Sequence, residues 1–156
     1  MILLRPVAQS DKDIFEGSSY CLLPEETLHQ MIAESIAKEH KGKYFELFAV
    51  FKQDCCVGFI SFYAYEEKTV SLGPEIKPRH RKQGVGFEAM GEAMERAKQY
   101  GFTKASAQIR TDNAPSIALH KKLGFYVQKE YINAKGNSVI WFEKILEAKD
   151  KQNGGL

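Results

Sequence analysis

The stretch Glu75-Ile76-Lys77-Pro78-Arg79-His80-Arg81-Lys82-Gln83-Gly84-Val85-Gly86-Phe87-Glu88-Ala89-Met90-Gly91 organises the chain around it. An apolar segment arrives at Ile76, Pro78 stops it, Arg81 to Gly86 make a basic, glycine-punctuated turn, and a helix-period pattern starts directly after. Such a turn is suited to hold an anion. Glycine lets the backbone approach a ligand closely, several N–H groups can point the same way, and a helix N-terminus favours each anionic contact by ~0.3–1 kcal/mol. Arg81 and Lys82 add full charges, so the residues point to a phosphate-bearing ligand, above all a pyrophosphate.

Two familiar phosphate motifs do not fit. Gly84 to Ala89 matches the letters of the dinucleotide fingerprint, but that motif needs a hydrophobic strand running into its first glycine and an acidic residue about 20 positions on. Pro78 and four basic side chains precede Gly84 instead, and positions 104 to 110 hold no carboxylate. The P-loop is excluded because no Gly-Lys-Ser/Thr follows.

Working outward, Thr69 to Lys77 reads as the strand that leads into the turn, with Gly73-Pro74 in its middle. Proline cannot donate to a ladder, so this strand lies at an edge there or leaves a neighbour. A strand that leaves its neighbour exposes backbone groups that can pair with an extended, amide-containing ligand. The helix from about Gly86 to Tyr100 carries Phe87, Met90, Met94 and Ala97 on one face and stops at Gly101; Ala105 to Arg110 follows as a strand of small residues. A helix joining two strands makes them parallel neighbours.

Upstream, Ile2 to Val7 is a strand, Ser10 and Asp13 resemble a capping box opening a short helix through Tyr20, and Pro24 opens a second helix that runs to Gly42. Phe45 to Phe51 and Cys55 to Tyr65 make a hairpin about Lys52-Gln53-Asp54. Downstream, Asp112 or Asn113 caps a helix with Pro115 in its first turn and Gly124 at its end, and Phe125 to Tyr131 and Val139 to Ile145 finish as strands.

Composition agrees with one globular unit: 156 residues, 44% hydrophobic and 27% charged, with a net charge of +2. We expect a domain over residues 1–149 and a flexible tail at 150–156. The basic residues Lys77, Arg79, Arg81 and Lys82 are clustered and no aromatic platform is interleaved with them, which favours a local anion site over a nucleic-acid surface. Cys21, Cys55 and Cys56 are odd in number, and Cys55-Cys56 reads as buried packing in an aromatic strand. That pattern fits a reducing compartment, and with no targeting signal or membrane-length apolar run the expectation is a cytoplasmic protein. No metal-ligand spacing is visible. Edge strands allow a monomer or a homodimer.

Arg81-Lys82-Gln83-Gly84-Val85-Gly86 resembles the acyl-CoA-binding signature Arg/Gln-x-x-Gly-x-Gly/Ala of the GNAT acetyltransferase superfamily. Asn113-Ala114-Pro115-Ser116-Ile117-Ala118-Leu119-His120-Lys121-Lys122-Leu123-Gly124-Phe125 resembles that superfamily's Asn-x-x-Ser/Ala-x-x-Leu/Phe-Tyr-x-Lys-x-Gly-Phe. With the order of elements, the likeness spans nearly the whole chain. It implies an α/β (α+β) fold, with a mixed, mostly antiparallel sheet of six to seven strands, a central splayed parallel βαβ unit and about four helices.

The resemblance also implies roles. Acetyl-CoA is the expected co-substrate: Arg81, Lys82, Gln83, Gly84, Val85 and Gly86 hold its pyrophosphate, and the backbone of Ile76 and of Lys77 pairs with its pantetheine amides. Asn113 either contacts the cofactor arm or caps its helix, and Ser116 belongs to the same motif. The expected reaction is direct attack by a primary amine of a small molecule or peptide, with the N–H near Ile76 stabilising the oxyanion.

Two positions depart from the family's pattern. His120 stands where tyrosine is usual; it is the candidate general acid, or a contact to the CoA sulfur, or a helix residue without a role. Gln108 stands where some relatives place a glutamate base, which leaves Glu75 as the nearest carboxylate, either base or surface strand residue. A CoA-binding module without turnover therefore stays open beside the enzyme.

Overall fold

A computed structural model describes residues 1–147; the tail expected at 150–156 lies outside the described residues. Seven strands form one sheet: β1 (Ile2–Pro6), β2 (Phe45–Lys52), β3 (Cys55–Glu66), β4 (Thr69–Ile76), β5 (Lys104–Arg110), β6 (Tyr126–Ile132) and β7 (Ser138–Ile145), in the spatial order β1-β2-β3-β4-β5-β7-β6. All neighbours are antiparallel except β4 and β5, whose parallel pairing covers only Thr69 to Ser71 against Lys104 to Ser106. The α-helices are α1 (Glu25–Ala37), α2 (Val85–Gln99) and α3 (Ala114–Lys122).

Both faces of the sheet are covered, and the alternation of strand side chains divides the core accordingly. On one face Phe48, Ile60, Phe62, Val70, Leu72, Ala105 and Phe142 pack with Ala89, Met90, Ala93 and Ala97 of α2. On the other, Leu47, Ala49, Cys56 and Phe59 pack with Ile32 of α1 and with Phe15, whose ring stacks on Phe59 at 4.9 Å. Each fully buried phenylalanine contributes about 1.5–3 kcal/mol, whereas an exposed ion pair contributes about 0–1, so this two-sided apolar packing decides the fold.

Several local expectations change. The helix expected between Ser10 and Tyr20 is two short 3-10 turns, Asp13–Phe15 and Ser19–Leu22, separated at Gly17 with φ 82°. Ser10 does not cap the first turn; the neighbouring carboxylate Asp11 instead accepts the Ala8 N–H at 2.7 Å and binds the Arg5 guanidinium through both oxygens. Helix α1 stops at Ala37, short of Gly42, because Lys38 turns left-handed at φ 59° and the N–H groups of Lys38 and Glu39 close onto Ser35 and Glu34. On α2, Phe87 is exposed, and the buried stripe is Val85, Ala89, Met90, Ala93 and Ala97. Of the adjacent thiols only Cys56 is buried; strand alternation turns Cys55 outward.

Candidate active site

The site begins where β4 leaves β5. Lys77 N donates to Val57 O at 2.8 Å, continuing the pairing that sets Gly58 opposite Ile76 and Phe59 opposite Glu75. Antiparallel pairs alternate between hydrogen-bonded and not. The amide groups of Ser71, Gly73, Glu75 and Lys77 are therefore turned toward β3, and those of Leu72, Pro74 and Ile76 toward the gap. Pro74 has no N–H to leave unpaired there. On the opposite flank, Thr111 N donates to Ser138 O and Leu146 N to Thr103 O, so the odd positions of β5 bond β7, while Gln108 and Arg110 turn their amides to the gap. A short parallel ladder followed by divergence thus leaves backbone donors and acceptors on both walls.

At the Ile76 end of the gap, Pro78–His80 forms a 3-10 turn and Lys82 and Gly84 take positive φ, 60° and 79°. Gly84 is the N-cap of α2 with no side-chain cap, so the first-turn N–H groups of that helix are left for a ligand or solvent. A Cβ on Gly84 would meet nothing within 4 Å, which marks the loop as open. Gly86, by contrast, sits 3.4 Å, at the position of a Cβ, from Leu119 Cδ2 and lets α3 approach α2. Arg81 folds back to donate from Nε to Ile76 O at 2.8 Å, linking the loop to the end of β4. Gln83 donates to Arg79 O at 3.4 Å, and Lys82 is exposed.

A cleft of about 450 Å³ occupies the gap, lined by Leu72, Gly73 and Pro74 from β4, Gln108 and Arg110 from β5, Asn113, Ser116 and His120 at α3, and Tyr65. Asn113 caps α3, its Oδ1 accepting the Ser116 N–H at 3.2 Å, while also lining the cleft. His120 is 1% exposed, held between Phe125 and Phe142, with Nδ1 2.8 Å from Ser116 O. A carbonyl oxygen only accepts, so Nδ1 carries the proton and Nε2 of the neutral ring is an acceptor. Nε2 is buried with no hydrogen-bond partner among the described residues. Burial pushes the imidazole below its ordinary range, with the Ser116 carbonyl working the other way.

Two of the residues singled out in sequence turn away from the cleft. The Glu75 carboxylate accepts both the backbone N–H of Ser19, at 2.6 Å, and the Ser19 hydroxyl, and so caps the second 3-10 turn. Lys77 is 9% exposed, its Nζ donating to Ile14 O at 2.5 Å beside the Phe59 ring. With its N–H on Val57 and its carbonyl on His80 N, Lys77 has no backbone group to spare and does not join the basic cluster. Both side chains lie on the α1 face because odd positions of β4 point there. Tyr65, which the sequence leaves open as either an acceptor-pocket or a packing residue, lines the cleft. Arg110 is a cleft residue the sequence reading did not assign; the strand alternation that places Gln108 also places it.

The model of the Acetyltransferase (GNAT) family matches residues 9–125. Over 117 residues the chain is 26% identical to the ribosomal-protein-serine acetyltransferase of Escherichia coli (strain K12), an alignment covering 70% of this chain and 65%, just under two thirds, of that enzyme. Over 122 residues it is 28% identical to the aminoglycoside N(6')-acetyltransferase type 1 of Acinetobacter haemolyticus, covering 77% and 78% of the two chains. Among solved structures, the ribosomal L7/L12 alpha-N-protein acetyltransferase RimL in complex with coenzyme A superposes with a TM-score of 0.81 at 17% identity, over 95% of this chain and 96% of that one. The divided parallel pair, the glycine loop opening α2 and the family match agree, and the chain belongs to the GNAT acetyltransferase family.

Proposed function

We propose that this protein is an N-acetyltransferase that moves an acetyl group from acetyl-CoA to a primary amine of a small molecule or peptide by direct attack. The observation that carries the reading is the departure of β4 from β5 beside an uncapped helix N-terminus, which opens a cleft walled by backbone amides. The residues suit the co-substrate: Arg81, Lys82, Gln83, Gly84, Val85 and Gly86 for the pyrophosphate, the Ile76 amide for the pantetheine arm, Asn113 and Ser116 along the cleft. Acetyl-CoA supplies an activated acyl group; the protein supplies position, the Ile76 N–H as oxyanion donor, and His120. Glu75 serves this reading as a positioning residue, since its carboxylate already holds Ser19. The active unit is the domain over residues 1–149, working in the cytoplasm.

A second reading, a CoA-binding module without turnover, is favoured by the lack of any carboxylate lining the cleft among the described residues. Thermal unfolding with and without acetyl-CoA tests the site common to both. Ligand at 100 times its dissociation constant stabilises the native state by ~2.7 kcal/mol. We expect a clear upward shift in wild type that Gly84→Glu abolishes and Arg81→Ala weakens; no shift at millimolar acetyl-CoA would sink both readings. Release of free thiol with an amine panel then separates enzyme from module.

A further inference from the structure

The cleft is lined from both faces of the sheet, and its two sides differ. On the α2 side stand Leu72 and Pro74 of β4, Ala107 and Ile109 of β5, and Ser116 and His120 of α3. Gln108 and Arg110 lie opposite Trp141 and Val139 on the α1 side, where Ser71 and Tyr65 join them, the Tyr65 ring edge-on against Tyr63 at 4.9 Å. In the acetyl-CoA reading the α2 side belongs to the co-substrate, because the glycine loop opens α2 and Asn113 opens α3. The amine is left the α1 side.

That side is rich in donors and has no negative charge of its own. The Tyr65 phenol, the Ser71 hydroxyl, the Gln108 amide and the Arg110 guanidinium can each donate a hydrogen bond, and no carboxylate lines the cleft among the described residues. Nearest in register, Glu75 is held by Ser19, and Glu143 lies 3.6 Å from Lys104 Nζ. On the same face Lys129 is opposite Trp141, its Nζ over the Trp141 and Tyr131 rings at 5.2 and 5.3 Å, and it enters none of the ion pairs among the described residues. A polycation would meet cations here and no partner. Arg110 suits the opposite charge. Asp112 accepts from its Nε at 3.2 Å and from its Nη2 at 2.7 Å, which fixes the plane of an exposed guanidinium. The Nη1 edge keeps its hydrogens, and that fork matches the two oxygens of a second carboxylate.

We propose that the acceptor carries a carboxylate beside its amine and that Arg110 holds that carboxylate on its Nη1 edge, which makes the substrate a free amino acid or an acidic peptide N-terminus. This rests on the acetyl-CoA reading given above. Matched pairs of amines test it through thiol release by the full chain: free amino acids against their amides, and dipeptide amides with aspartate against asparagine at the second position, with 1,4-diaminobutane as the polycation. A carboxylate beside an ammonium favours the charged form, so the free amino acid has the less reactive amine and its preference would reflect recognition. We expect the carboxylate member of one pair to lead in kcat/KM by about tenfold or more, the range of a charge-assisted hydrogen bond, and that pair identifies the source of the carboxylate. Arg110→Gln should bring the ratio to within about twofold, and Arg110→Lys should restore part of it, while calorimetric affinity for acetyl-CoA stays within about twofold in both variants. A ratio near one in wild type, use of 1,4-diaminobutane equal to that of the carboxylate acceptors, or equal loss on both members of a pair in Arg110→Gln overturns the proposal. So does a wild type that binds acetyl-CoA and acetylates none of these amines. Failure of wild type to bind acetyl-CoA overturns the underlying reading instead, a different outcome.

Discussion

His120 occupies a position where titration and packing oppose each other. The ring is buried between Phe125 and Phe142, so protonation in the native state puts a charge into apolar surroundings. Its native pKa is depressed by that burial, so in the window between the depressed value and the ordinary 6.5 the unfolded chain binds more protons than the native one. Stability is therefore full above about 6.5 and falls as pH drops through the window. Urea midpoints of wild type and His120→Phe at pH 7, 6 and 5 should show a decline in wild type that is flattened in the variant. Asp11 does not confuse the comparison. Burial raises its pKa, but Arg5 and the Ala8 N–H outweigh this, and its contribution is lost only below its ordinary 3.8. The motif fixed the place of His120 on α3. Its tautomer was not legible, because Ser116 O, Phe125 and Phe142 meet around it only in the folded chain.

At the scale of elements, the splay depends on a glycine that no motif marked. A Cβ added to Gly58 of β3 would overlap the Glu75 carbonyl oxygen and sit 3.0 Å from Ile76 Cα. Gly58→Ala must push β4 away at the residue whose N–H faces the cleft, and overpacking of this kind costs about 1–3 kcal/mol. We expect a lower urea midpoint together with weaker acetyl-CoA binding. Gly91→Ala is the control: it lies within α2 with open space around its Cβ position, and should be neutral or stabilising by about 0.5–1 kcal/mol without touching affinity. A Gly58→Ala protein with unchanged affinity would remove the splayed strand from the account of binding. Strand periodicity did locate β2 to β5 to within a residue or so. It also held the information that Glu75 and Lys77 share a face opposite to Ile76, but not what that face would meet, since Ser19 and Ile14 are more than fifty residues away in sequence.

For the whole molecule, the proposed N-acetyltransferase reading makes the cleft the feature that sets the class of amine served. No carboxylate lines it among the described residues, so the amine must arrive neutral. At pH 7 about 14% of a peptide α-amine of pKa ~7.8 is neutral, against about 0.04% of a lysine ε-amine of pKa ~10.4, a ratio of roughly 340. A lysine-free peptide with an open N-terminus should accordingly exceed an Nα-blocked lysine peptide in kcat/KM by about a hundredfold or more at pH 7, with the gap narrowing by pH 9, as read by thiol release. Equal use of both peptides would require a carboxylate base, which none of the described residues lining the cleft supplies. The sequence by itself determined the family, the order of the strands, the parallel βαβ unit and the glycine-punctuated turn that opens α2, because these rest on short-range patterns: glycine and proline positions, capping residues and apolar periodicity. Only the tertiary structure decided that Glu75 and Lys77 brace the N-terminal turns, that His120 is a buried neutral ring with Nδ1 engaged, and that Arg110 and Tyr65 join the cleft. Those outcomes depend on which distant backbone and side-chain groups each residue meets, and on the water each loses in meeting them.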